Sequence, residues 1–299
     1  MRDVKSWHVR QVTAPVADHG EGPVWDEERG RLLWVDMLAG DLLDTNPLTG
    51  ETVRHQGPED VAAILCRDEK EWLLTGRHHI WRGDLDNWDK CASLPLSRDE
   101  RANEGGCSEK GELYIGTMRE DEATGTGAIY RYDGQTVTAS LAGTTISNGV
   151  AFTAGGCWFI DSPTRSIRWY KISEDGRWEA SEKAFSTEEF PGIPDGMCRD
   201  SEGGFWVAMY GGGSVIRFTA SGEPDAVIKI PAECPTSCCF GGDGGAELFV
   251  TTSRYKRDQS LDPQAGSLFA VTTGFQGAKR HAFAPVEFAQ EIPSADHSL

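Results

Sequence analysis

The residues with the clearest chemical potential are Glu21, Asn103, Asn148 and Asp195, two carboxylates and two amides far apart in the chain. Each opens a similar local phrase in which a polar or small residue precedes a short apolar stretch and a glycine stands close by. Hard oxygen donors of these types, brought together from separate segments, are what a divalent cation requires. Gly22, Gly149 and Gly196, each directly after one of the four, allow a sharp turn or a close approach of backbone. The other reading is that these side chains cap a wet channel through hydrogen bonds to water. Both readings need an architecture that brings distant segments to one axis.

That architecture is legible as a repeat. The phrase begins at Glu21, Ala62, Asn103, Asn148, Asp195 and Thr236, with spacings of 41, 41, 45, 47 and 41 residues. A second aromatic-rich strand follows in each copy, as in Leu32-Leu33-Trp34-Val35, Cys157-Trp158-Phe159-Ile160 and Phe205-Trp206-Val207-Ala208. A third strand comes next, for example Ser166-Ile167-Arg168-Trp169-Tyr170, ended by turns such as Asp133-Gly134 or Ser221-Gly222. A unit of roughly 43 residues with three or four strands has the size of one propeller blade. Six copies predict an all-β, six-bladed β-propeller that uses residues 1–299 as a single domain. The start of each innermost strand then projects into the mouth of the central channel. Trp7–Val12 and Ala282–Phe288 offer strands for closing the ring. Helical periodicity is almost absent; the longest helical candidate is the short stretch from Glu179 to Phe185.

Composition agrees with this and narrows the partners. Lys+Arg number 29 and Asp+Glu 47, a formal charge of −18. Such a field repels phosphate backbones and anionic lipid, so neither nucleic acid nor membrane is an expected partner. No run of apolar residues is long enough to span a bilayer, and the first ten residues lack the apolar core of a signal peptide. A cytoplasmic location is the expectation. The 35 glycines, with 10 Trp and 12 Phe, fit many tight turns between aromatic-rich strands. The eight cysteines include no CxxC pair or zinc-finger spacing and read as reduced, mostly buried thiols, with Cys238-Cys239 on alternate faces of one strand.

Several familiar catalytic signals are missing. There is no Gly-x-Ser-x-Gly elbow, no His-Glu-x-x-His and no Walker loop. Asp84-Leu85-Asp86-Asn87-Trp88-Asp89 lacks the glycine and the terminal Glu of an EF-hand and reads as a solvated turn between blades. His78-His79 reads as an exposed turn, and Gly241-Gly242-Asp243-Gly244-Gly245 as a strand connection.

The blocks Glu21-Gly22-Pro23-Val24-Trp25, Arg101-Ala102-Asn103, Gly116-Thr117-Met118, Ser147-Asn148-Gly149 and Gly192-Ile193-Pro194-Asp195-Gly196-Met197-Cys198 occur in the order and spacing of a known family. Tyr210–Arg217 and Thr236–Gly242 add to the match. The chain resembles the SMP-30/gluconolactonase, or regucalcin-like, family over about residues 18–275. The resemblance implies one divalent metal at the top of the channel, Ca²⁺ or Zn²⁺ foremost and Mn²⁺ or Mg²⁺ as alternatives, held by Glu21, Asn148 and Asp195. It implies a substrate site at Arg101, Asn103 and Asp121, where Asp121 replaces a more usual Glu. The implied reaction is hydrolysis of a sugar lactone to the aldonic acid, with gluconolactone as representative. There the cation polarises the carbonyl, and Asp195 serves as general base as well as ligand. The expected partner is a small-molecule lactone, for a monomer or weak homo-oligomer. Xylono-, arabinono-, galactono- or modified glucono-lactones are alternative substrates; a non-catalytic, calcium-binding regulatory propeller is an alternative function.

Overall fold

The computed structural model describes residues 7–68 and 71–285. Among them lie six four-stranded antiparallel sheets, arranged as the blades of a β-propeller. The innermost strands are Gly20–Asp26, Val61–Arg67, Glu100–Cys107, Ser147–Thr153, Ile193–Arg199 and Pro235–Gly241, which open blades one to six. In the first five blades the strands follow one another outward in chain order. The sixth takes three strands from the C-terminal part of the chain and its outermost from Val9–Gln11. There Val9, Arg10 and Gln11 pair with Val271, Ala270 and Phe269.

A propeller blade is a twisted sheet with both faces covered, so each strand carries apolar residues on both sides. The core is accordingly divided among the gaps between blades. Leu33, Val35 and Leu42 of the first blade pack on Ile64, Trp72 and Leu74 of the second. Tyr114 and Ile129 meet Phe152, Cys157 and Trp178 between the third and fourth, and Trp34 and Leu43 meet Phe249 and Ala270 where the ring closes. Cys238 faces the fifth blade and Cys239 the first, the alternation expected of adjacent residues in a strand. The eight cysteines are free, and all but Cys91 and the half-buried Cys198 are buried.

Four expectations need correction. Glu179–Phe185 is no helix but part of a nine-residue strand, Trp178–Ser186, on the outer edge of blade four. Its helix-forming Glu, Ala and Lys residues are overruled by pairing with Ser166–Ile172 and by the buried Trp178. The ring is closed on the C-terminal side by Phe269–Thr272 rather than by Ala282–Phe288. Residues 282–285 form no strand, and 286–288 lie outside the described residues. Asp84–Asn87 turns within blade two, not between blades, with Asp84 Oδ1 accepting from the amides of Asp86 and Asn87. His78 and His79 are half-buried rather than exposed, because the His79 ring and the amides of both bond the Glu59 carboxylate.

The most enclosed charge pair joins Arg217 and Asp200 in blade five, their side chains 4% and 0% exposed. Asp200 accepts from Arg217 Nε at 2.7 Å, Trp206 Nε1 at 2.9 Å and the Gly204 amide at 2.8 Å. Although burial opposes it, these donors hold the Asp200 carboxyl below the usual carboxylate range. The pair therefore contributes stability above the ordinary carboxylate pKa and loses it as pH falls through the lower folded value. Asp200→Ala, which removes the Nε partner of a buried guanidinium that keeps Asp225 at 2.6 Å, is expected to cost about 2–4 kcal/mol in urea unfolding at neutral pH. The gap to wild type should narrow on acidification; a pH-independent gap would contradict the assignment.

Candidate active site and cation centre

Every blade shows a break in register between its first and second strands, close to the position that faces the channel. The breaks fall between Glu21 and Val24, Ala102 and Gly105, Ser147 and Val150, Pro194 and Met197, and Pro235 and Cys238, with two in blade two. Such bulges re-aim side chains and turn consecutive residues toward one side. The inner strands also approach closely there. A Cβ on Gly149 would lie 2.9 Å from the Asp195 carbonyl oxygen, and one on Gly196 would lie 2.2 Å from Ser237 Oγ. Gly22 has a φ of +48°, in the left-handed region.

These bulges gather Glu21, Asn103, Asn148 and Asp195, each 6–7% exposed. Asn103 Nδ2 donates to Asn148 Oδ1 at 3.1 Å and to the Ser147 carbonyl at 2.9 Å. Asn148 Nδ2 donates to Ser162 Oγ at 2.8 Å, which turns its carbonyl oxygen toward Asn103 and the channel. Arg101 Nη1 donates to Asn103 Oδ1 at 2.7 Å. Of the two remaining ring positions, Thr236 donates to the Gly20 carbonyl and ties blade six to blade one, while Ala62 is apolar.

The carboxylates are under strain from one another. Burial pushes the Glu21 carboxyl up to about 7, against the pull of the Gly22 amide and the Arg101 charge. Asp195 is pushed well above the ordinary range by burial and by the charges of Glu21 and Glu104. No hydrogen bond among the described residues satisfies it. Glu104, which directly follows Asn103, is raised in the same way, and its Oε2 is a buried atom without a partner. Arg101 is the compensating cation for Glu21 and Asp195 and is itself pulled down by burial, while the Arg280 charge acts on Glu104. Closely set, poorly satisfied carboxylates with an oriented amide oxygen fit a hard divalent ion. Among the described residues no group of three His, Cys, Asp or Glu side chains is spaced to hold a metal. The set here counts two carboxylates and an amide.

Asp121 is not drawn into this cluster. It is 58% exposed and paired with Arg119 at 2.9 Å, which holds its carboxyl below the usual range. Its neighbours Glu120 and Glu122, together with Glu21, are carboxylates whose charge reaches Arg101. Sequence reasoning also passed over His19. Its Nδ1 lies 2.8 Å from Ser253 Oγ and its Nε2 3.8 Å from Glu21 Oε1. Burial and the Arg101 charge pull it down to about 4, leaving the ring neutral at pH 7. Its position two residues before Glu21, on the same side of a strand, was the available signal.

With this geometry in view, the sequence profile of the SMP-30/Gluconolactonase/LRE-like region matches residues 19–254. The chain belongs to that family. It is 30% identical to rabbit regucalcin (Oryctolagus cuniculus) over 282 residues, covering 89% of this chain and 94% of the relative. It is 32% identical to pentonolactonase XacC of Haloferax volcanii, covering 86% and 92%, and 30% identical to the 6-deoxy-6-sulfogluconolactonase of Pseudomonas putida, covering 89% and 94%. Among solved structures, the calcium-binding regucalcin of Agrobacterium tumefaciens superposes with a TM-score of 0.87 at 24% identity, covering 95% of this chain and all of that one. No helix among the described residues is long and apolar enough to cross a membrane.

If the cluster holds a cation, saturating Ca²⁺ or Zn²⁺ should raise Tm, by roughly 3 kcal/mol of stability at a hundredfold excess over Kd. The rise should vanish in Glu21→Gln and Asp195→Asn. Ser162→Ala, which releases the Asn148 amide, should weaken cation binding about 10–100-fold in calorimetry. Unchanged affinity would show that Ser162 does not orient the ligand.

Proposed function

We propose that the protein is a metal-dependent sugar lactonase, hydrolysing an aldono-lactone to its aldonic acid. The observation that carries this reading is the convergence of Glu21, Asn148 and Asp195 from three blades beside Arg101 and Asn103. Named relatives that hydrolyse sugar lactones support the same class of reaction. Gluconolactone is the representative substrate, and the other aldono-lactones are variants of the same proposal.

Glu21, Asn148 and Asp195 would hold one divalent ion, Ca²⁺ or Zn²⁺ foremost, with Mn²⁺ or Mg²⁺ also compatible with oxygen donors. When bound, that ion supplies Lewis-acid stabilisation of charge on the lactone carbonyl oxygen. Asp195, whose carboxylate accepts no hydrogen bond among the described residues, takes the proton from the attacking water. The water oxygen bonds to the carbonyl carbon, the ring C–O bond breaks, and the released ring oxygen takes a proton to become a hydroxyl. Arg101 and Asn103, already bonded to each other, orient the sugar hydroxyls and supply positioning. Asp121 would join them only by leaving Arg119, so its contribution depends on the turn at residues 120–125. The lactone enters as a small-molecule partner of a monomer or weak oligomer in the cytoplasm.

Proton release from a panel of aldono-1,4- and 1,5-lactones tests this, using enzyme stripped with EDTA and resupplied with single metals. We expect metal-restored turnover of one lactone well above the rest. Asp195→Ala, Asn148→Ala and Glu21→Gln should each lose at least about 100-fold in kcat/KM with the fold intact. Cation binding without turnover of any lactone would replace the enzyme by a calcium-binding regulatory propeller.

A further inference from the structure

The channel does not end at the carboxylate cluster. Directly below Glu21, Asn103, Asn148 and Asp195 it widens into a cavity of about 630 Å³, reaching the opposite face of the propeller. That volume lies in the ~300–1,000 Å³ range of small-molecule sites. The segment after the last blade strand crosses this lower mouth as a strap. The Gly277 amide donates to the Gly245 carbonyl and the Ala278 amide to that of Arg199, on the side of blades five and six. Across the mouth, the Phe283 and Ala284 amides donate to the carbonyls of Arg67 and Gly111, and the Phe283 ring stacks on Tyr132. The strap is therefore anchored on both sides.

Between its anchors it carries Lys279-Arg280-His281, and all three residues line the cavity together with Arg199 from blade five. This concentration of cations stands out in a chain of formal charge −18. Thirteen other arginines make ion pairs with carboxylates, from Arg10 to Arg257, whereas Arg199 and Arg280, like Arg98, Arg101, Arg165 and Arg168, make none among the described residues. Arg280 reaches the Pro23 and Leu65 carbonyls only at 3.4 Å, long for a charged donor. Arg199 spends Nη1 on the Phe152 carbonyl at 3.1 Å, while its buried Nε has no partner. The nearby acids offset this set only in part. Glu104 and Glu27 line the same cavity and Glu104 feels the Arg280 charge, while Asp200 and Glu109 act on Arg199 and Glu109 on His281, yet none of them forms an ion pair with these cations among the described residues.

Two guanidinium groups with unspent donors, lining one cavity of this size, form a receptor for planar or tetrahedral oxyanions. We propose that the lower mouth binds a small oxyanion, a carboxylate or phosphate of sugar-acid size, between Arg199 and Arg280. The site is separate from the catalytic mouth, and its existence does not depend on the lactonase reading.

Sodium phosphate and sodium gluconate, each titrated into the metal-loaded enzyme by calorimetry at low ionic strength, test the site. Saturable binding of at least one is expected, weakened by about tenfold or more in Arg199→Gln and in Arg280→Gln. Binding should persist in Asp195→Asn. Preference for phosphate or gluconate identifies the anionic group. Amide NMR shifts at Gly241–Gly245 and Gly277, without shifts at Asn148 or Asp195, should accompany binding even if an arginine variant does not fold. The proposal is overturned by no saturable binding up to about 10 mM. It is equally overturned by binding that survives both arginine changes and disappears in Asp195→Asn.

Discussion

The register break on the innermost strand is the constraint on which the site rests. A regular strand would send successive side chains alternately into the two inter-blade gaps, where Val24, Ile64 and Met197 belong. An extra residue at the channel mouth lets one side chain leave that alternation in every blade, a polar one in all but the second. The ring can then carry oxygen ligands while the apolar packing a few residues further on stays intact. The glycines beside the breaks are consequences of the same crowding, since neighbouring inner strands come within contact distance at Gly149 and Gly196.

Gathering carboxylates this way has an electrostatic cost. Glu21, Asp195 and Glu104 are withdrawn from water and face each other, with Arg101 and, for Glu104, Arg280 as partial compensation. The cation proposed for this mouth would relieve that conflict without rearranging the backbone, since the bonds at Ser162, Asn103 and the Gly22 amide are already directed. Toward the lower mouth the same channel is lined by Arg199, Lys279 and Arg280, and the Arg280 charge reaches back to Glu104.

The fold was legible because six copies of one unit report the same thing. No single strand needed to be read well when the 41–47-residue spacing repeated. The polar ring positions followed from that phase alone, whereas features outside the repeat did not. The Arg119–Asp121 pair turns Asp121 outward, and only the local turn decides whether it or Glu120 and Glu122 face Arg101. Glu104 escaped notice because alternation assigns the residue after Asn103 to a buried gap, and a bulge cancels alternation. Trp178–Ser186 has helix-forming composition and becomes a strand because the blade needs a fourth edge. The strap at 277–285 has neither periodicity nor a turn signature, and its path is set by carbonyls contributed by distant blades.

Closure of the sixth blade by Val9–Gln11 also governs how the molecule is made. This strand leaves the ribosome about 260 residues before its partner Phe269–Thr272, which is among the last of the propeller's strands to emerge. Through most of synthesis the growing ring is an open arc with an unfilled edge at each end, the state in which β-rich chains pair wrongly with their neighbours. The Trp7 ring, which rests edge-on against Trp206 of blade five, has no docking surface until two-thirds of the chain exists. Cooperative stability therefore arrives late and all at once, and a nascent chain stalled before blade six is a species that chaperones must hold.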